Sequence, residues 1–326
     1  MSSLHASPDP EPLFEARSLY GFAGHLPAPF LTAGAGEIAL AEPDTRVSDS
    51  VSRLAAFLKA QRLGLLLAGG FLALLLVATL APGLLTRIDP LAADSRAAFL
   101  PPGVEHWLGT DENGRDQYAR LVHGTTSSLG LGIMAMAISL GLGIVVGLIG
   151  GLGGRIADEA SMRFADTMAA IPSVLFALLV ITLWGANAVT VMVAIGVTTM
   201  PRYARLVRVE ALKLRRAPFV EAATTLGLHR VAVVWRHILP NAVKPALLLS
   251  VIGIGDKIAL AATLSFLGFG SPPPTPEWGA MLATSRNFVP FAPWLLIAPA
   301  VLITLTVLAT TAVGREIIRR GEGRQA

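Results

Sequence analysis

Long uncharged apolar runs alternate with short charged ones along this chain, and that rhythm predicts helices that cross a membrane. Residues 63–86 form an uncharged run of 24, where about 20 suffice for one span. Residues 125–154 form a second. Residues 167–201 make 35 without a charge, too long for one span. Two helices are expected there, parted at Gly185-Ala186-Asn187, with the second running on into Arg202 and Arg205, whose side chains can snorkel. Residues 245–269 and 287–314 supply the fifth and sixth spans.

Charge sets the orientation. Arg53, Lys59 and Arg62 precede the first span, and residues 202–244 carry nine Lys or Arg against two Glu. Basic loops stay in the cytosol. The expectation is an all-α polytopic membrane protein with six transmembrane helices and both termini cytosolic. The six-span domain covers 62–314. Its external loops are 87–124 and 270–286, its main cytosolic loop is 202–243, and 315–326 is a basic tail. Residues 1–50, rich in Pro, Ala and Gly and without periodicity, read as a disordered tail. In 51–61, Val51, Leu54, Ala55 and Leu58 share one face, which predicts a short amphipathic helix on the membrane surface.

Composition sharpens this picture. The chain is 53% hydrophobic and 15% charged, against roughly 25% charged for a soluble domain. With no cysteine, there is neither a disulfide framework nor a thiolate metal site. The pI of 9.8 reflects basic residues beside apolar spans, so it argues for membrane orientation and against nucleic acid. Gly143 and Gly147 form a G-x-x-x-G pair suited to close helix packing.

The most distinctive stretch is 218–241, PFVEAATTLGLHRVAVVWRHILPN. Glu221-Ala222-Ala223 opens a short helix and Gly227 permits a turn with positive φ. A second amphipathic turn follows, with Val231, Val234, Trp235 and Ile238 on one side and Arg230, Arg236 and His237 on the other, and Pro240 stops it. Two short helices bent at a glycine form a projecting knob. A loop lying on the lipid surface is the competing reading.

Few residues suggest chemistry. Asp256 and Lys257 sit inside the fifth span, where a charge costs at least ~2.5–3.5 kcal/mol. They either face a translocation path or bond a neighbouring helix or a second subunit. Adjacent residues point about 100° apart on a helix, so they are not expected to pair with each other. His229 and His237 lack further ligands, so no metal site is expected. There is no G-x-x-x-x-G-K-[ST] run, hence no phosphate-cradling loop in this chain.

Three motifs carry a resemblance. Glu221-Ala222-Ala223, then Gly227, then Leu239-Pro240 resembles the coupling-loop signature of ATP-binding-cassette importer permeases. Arg236 to Asn241 is similar to the variant in the peptide and nickel branch. Leu108-Gly109-Thr110-Asp111, Gly114-Arg115-Asp116, Arg120-Leu121 and Gly124 resemble the same branch, although Thr126 stands where that branch usually has Arg. So do Leu264 to Gly270 and Pro273 to Leu282, although Ala261 and Ala262 stand where related permeases often have an acid. The chain thus resembles the C-type permease of dipeptide, oligopeptide and nickel importers, of type I fold. The resemblance implies a bacterial inner-membrane location, a second homologous permease, two ATPase subunits that bind ATP and Mg, and an external solute-binding protein. No cofactor, metal or catalytic residue is implied in this chain. Glu221, Ala222, Ala223, Gly227, Arg230, Arg236, His237 and Pro240 would form the docking knob, with Ala222 and Ala223 permitting close approach and His237 packing within it. Asp256 and Lys257 would be candidates for the path. The alternative is an ion-coupled secondary transporter using Asp256 and Lys257. A membrane-embedded enzyme lacks a catalytic cluster.

Overall fold

A computed structural model describes the backbone from Thr45 to Glu322 and side-chain surroundings for residues 63–321. The expected tail over 1–50 lies almost wholly outside the described residues, as do the side chains of the amphipathic segment 51–61. The helices in order are α1 (Thr45–Leu80), α2 (Gln117–Leu152), α3 (Gly154–Ala170), α4 (Ser173–Trp184), α5 (Ala188–Arg215), α6 (Pro218–Thr225), α7 (Arg230–Val233), α8 (Leu239–Leu264), α9 (Trp278–Ser285) and α10 (Trp294–Glu322). The backbone of 51–61 belongs to α1.

Four helical segments are long and apolar enough to cross a membrane: Leu63–Leu80, Gln117–Leu152, Arg230–Phe269 and Trp294–Gly321. The pair α3 and α4, bent by 92°, adds a fifth if counted as one span. The expected six are not reached by length and composition alone. The run 167–201 does divide at Gly185, and the Asn187 side chain caps α5 by accepting from the Thr190 N–H at 2.9 Å. But α4 has 12 residues, about 18 Å of helix at 1.5 Å per residue, and α5 carries charge from Arg202 onward.

Boundaries move for identifiable reasons. Helix α2 begins at Gln117, ahead of the apolar run, because the Asp116 carboxylate accepts from the Ala119 N–H at 2.7 Å. That carboxylate also bonds His106 Nδ1 at 2.8 Å. Asp111 accepts from the N–H groups of Asn113 and Arg115, as expected of a turn-rich loop. Helix α10 begins at Trp294 instead of residue 287, since Pro290 and Pro293 lie in the turn between it and α9. It continues past Gly314 to Glu322.

Helices α2, α4, α5 and α8 enclose a core of Leu131, Ala135, Ile181, Ile195 and Leu264. Helix α5 packs most extensively on α2, and the G-x-x-x-G face is why. A Cβ on Gly147 would sit 2.6 Å from the Ala204 carbonyl oxygen and 2.8 Å from Val207 Cβ. At its C-terminal end, α8 widens into a π-helical turn over Ser265–Phe269, and Gly268 breaks it with φ 95°.

Candidate functional site

The knob is built from α6, α7 and the start of α8. Pro218 occupies the first turn of α6 and needs no N–H there. Glu221 sits in that first turn, near the positive end of the helix dipole. Helix α6 ends where Gly227 takes φ 83°. The Gly227 N–H then donates to Thr224 O at 3.0 Å and the Leu228 N–H to Ala223 O at 3.1 Å, which satisfies the last carbonyls of the helix. The His229 ring caps α7 by accepting from the Val231 N–H.

Pro240 does not stop the second turn. The chain stays helical from Arg230 to Phe269. A π-helical turn over Val234–Ile238, in which the Leu239 N–H donates to Val234 O, runs into α8 just ahead of Pro240. A proline removes one N–H and crowds the carbonyl four residues back, and a widened turn there relieves both.

The buried face also differs from expectation. Val220, Ala223, Val233 and Ile238 pack with Ala211 of α5 and Ala242 of α8, flanked by Leu148 and Leu152 of α2. This is the seat that fixes the knob to three helices. Val231 and Trp235, expected beside Val234 and Ile238, are instead 56% and 66% exposed. Ala223 is buried in the seat, so it does not offer itself to a partner, whereas Ala222 is exposed. Glu221, Gly227, Arg230, Arg236 and Pro240 are exposed, and His237 is half-buried with its ring 6.2 Å from that of Phe219. Phe219 and Leu226 complete an outward apolar set with Val231 and Trp235. Phe219 and Leu226 were not among the expected docking residues; their signal in the sequence is an apolar residue at each end of a short helix rich in small ones.

Asp256 and Lys257 lie at a cleft of about 620 Å³ between the start of α4, α5 and α8. They diverge as adjacent helical residues must. Asp256 is exposed and stands 3.7 Å from Arg202. Lys257 is 3% exposed, with its Nζ 5.4 Å from the centre of the Tyr203 ring. Arg202 and Arg205 belong to a ladder on α5 that continues to Arg208. Arg205 faces Asp166 at 3.4 Å, and Arg208 grips Asp158 of α3 through two nitrogens, Nη2 standing 2.7 Å from Oδ2. Three arginines at steps of three share one helix face, a pattern visible in the sequence but unexplained until the acids are placed. Another cleft, about 570 Å³ between α1, α2 and α10, is lined without a charged side chain, which suits acyl chains.

A family profile described as "Binding-protein-dependent transport system inner membrane component" matches residues 143–320. The dipeptide transport system permease protein DppC of Alkalihalophilus pseudofirmus is 38% identical over 240 residues, 74% of this chain and 79% of that protein. The glutathione transport system permease protein GsiD of Pectobacterium atrosepticum is 39% identical over 213 residues, 65% of this chain and 71% of that protein. A crystal structure of an amino acid ABC transporter with histidines is similar with TM-score 0.49 at 16% identity, covering 62% of this chain and 94% of that one.

Proposed function

The chain belongs to the binding-protein-dependent transport system inner membrane components, and on that premise we propose that its knob is the surface on which a separate ATPase docks. It is a permease subunit of an ABC importer and a multi-pass protein of the bacterial inner membrane. The observation that carries the docking reading is the two-sided knob. Its inner side is seated on α2, α5 and α8, while its outer side presents Phe219, Ala222, Leu226 and Trp235. A partner that pulls on such a knob moves three helices at once.

The rest of the proposed machine is a second permease, two ATPases that hold ATP and Mg, and an external solute-binding protein. This chain supplies no ATP site and no cofactor. The proposed solutes are short peptides, in line with the dipeptide and glutathione permeases it resembles, or a related small solute such as a nickel chelate. An ion-coupled transporter would give no use to the knob, and the family is ATP-driven.

The test is co-purification of the ATPases with this chain and its partner permease, with and without Ala222→Glu. Retention by the wild type and loss by the variant is expected. Equal retention by both sinks the docking assignment.

A further inference from the structure

We propose that the cleft between α4, α5 and α8 holds the carboxylate of the transported solute, with Lys257 as its counter-ion. This rests on reading the chain as a path-forming permease subunit. The cleft is lined by Arg202, Arg205, Asp256 and Lys257 together with Ile171, Pro172 and Ser173 at the start of α4. Three cations face one acid across that lining. Two of the cations are matched: Arg202 by Asp256 and Arg205 by Asp166. Lys257 is the exception. It is 3% exposed, yet among the described residues it has neither an ion pair nor a hydrogen bond, only the face of Tyr203. A largely buried ammonium without a direct partner is costly. An anion in the cleft offsets that cost.

The wall opposite α5 adds to the preference. Helix α4 starts at Ser173 with no side chain capping it, so its first N–H groups are left for whatever enters the cleft. The helix is 12 residues long, enough for a working dipole. Asp256, half exposed on the same rim, meets Arg202 only at 3.7 Å, a long solvated contact that leaves its carboxylate open to a second cation such as an ammonium. A cleft with a buried cation at one point and an exposed carboxylate at the next residue suits a zwitterion. That is the chemistry of a short peptide with free ends. The phosphate of an anionic lipid shares the first half of that chemistry.

The absence of cysteine allows a direct probe. In the assembled complex, reconstituted in phosphatidylcholine nanodiscs, Ser173→Cys and Thr263→Cys each place one thiol in this chain on the cleft wall. Their labelling rates with sulfonatoethyl and trimethylammonioethyl methanethiosulfonate are compared, each normalised to a free thiol. The anionic reagent is expected to react several-fold faster. Lys257→Met should lower that ratio by roughly tenfold, since one buried charge acts with opposite sign on the two reagents. Arg202→Gln, which leaves Asp256 unmatched at an exposed position, should lower it as well. No anion preference, an unreactive thiol, or a ratio unmoved by both substitutions overturns the proposal. A preference that disappears when phosphatidylglycerol is added assigns the site to a lipid headgroup and overturns it too. ATPase co-purification, scored on the same preparation before labelling, reports separately on the permease reading.

Discussion

The indole N–H of Trp278 donates to the backbone oxygen of Leu121 at 3.0 Å, and this bond fastens the start of α9 to α2. Trp278 is fully buried, and its own backbone N–H donates to Ser128 Oγ at 2.9 Å. Trp278→Phe keeps most of the ring and loses the bond, a cost of about 1 kcal/mol. Trp278→Ala also opens a cavity and should cost about 3–5 kcal/mol. Thermal unfolding of the purified complex should rank wild type above Trp278→Phe above Trp278→Ala. Identical midpoints would show that the start of α9 is held by something else.

Glu277, the preceding residue, caps α9 by accepting from the N–H groups of Gly279 at 2.8 Å and Ala280 at 3.0 Å. Burial pushes its carboxyl above the usual carboxylate range, against the pull of those N–H groups. A raised carboxyl binds its proton more readily in the folded state than in the unfolded one. Stability therefore falls as pH rises from the unfolded value through the folded one. Hydrogen exchange of 278–285 should slow as pH is lowered through that window, after correction for the intrinsic rate. Glu277→Gln should flatten the dependence. A slope of opposite sign refutes the assignment.

The contact between α2 and α5 gives a paired test. Gly147→Ala puts a methyl against the Ala204 carbonyl and Val207, whereas a methyl at Gly141 meets nothing within 4 Å. Overpacking costs typically about 1–3 kcal/mol, while Gly→Ala at an open helical site gains roughly 0.5–1 kcal/mol. Gly147→Ala should lower the unfolding midpoint and Gly141→Ala should hold or raise it. The two moving together would mean that the close approach is not what sets stability there.

How much of this was legible in the sequence follows from which signals are local. Apolar runs and breaks such as Gly185 and Gly227 act within a few residues, so spans and turns could be read directly. The start of α2 also had a local signal, Asp116, but it lay under the functional reading of its motif. Trp278 could not be placed, because burial depends on α2, more than a hundred residues away. The buried side of the knob was misread for a similar reason. Val231 to Ile238 passes through a π-helical turn, so the 3.6-residue period that paired Trp235 with Ile238 does not hold there. Likewise, the partners of Arg202, Arg205 and Arg208 lie on other helices, and no spacing announces them.

Gly227 is where the docking reading meets the backbone. Nothing lies within 4 Å of a Cβ there, but φ is 83°, and a left-handed conformation costs an ordinary residue about 1–2 kcal/mol. A β-branched side chain is the least tolerant. Gly227→Val should therefore shift the path of 226–229 while leaving the seat in place. The expected result is normal membrane insertion, with ATP hydrolysis no longer stimulated in step with uptake. Unchanged uptake would mean that the turn transmits no force.

Ala223 separates seating from docking. It is 8% exposed, among Val220, Val233 and Ile238, so Ala223→Glu drives a carboxylate into an apolar seat. An unpaired buried charge costs several kcal/mol, of order the stability of so small an element. The knob should detach from α5 and α8 even when no ATPase is present. Limited proteolysis of the isolated permease should then cut near Arg230 and Arg236 much faster than in the wild type. Ala222→Glu, one residue away on the exposed face, should leave the cleavage rate unchanged. Both substitutions would lose the ATPase, but only Ala223→Glu would do so by unseating the knob. Equal protection of the two variants from protease would place Ala223 on the docking face after all, and the seat formed with α2, α5 and α8 would not be what holds the knob.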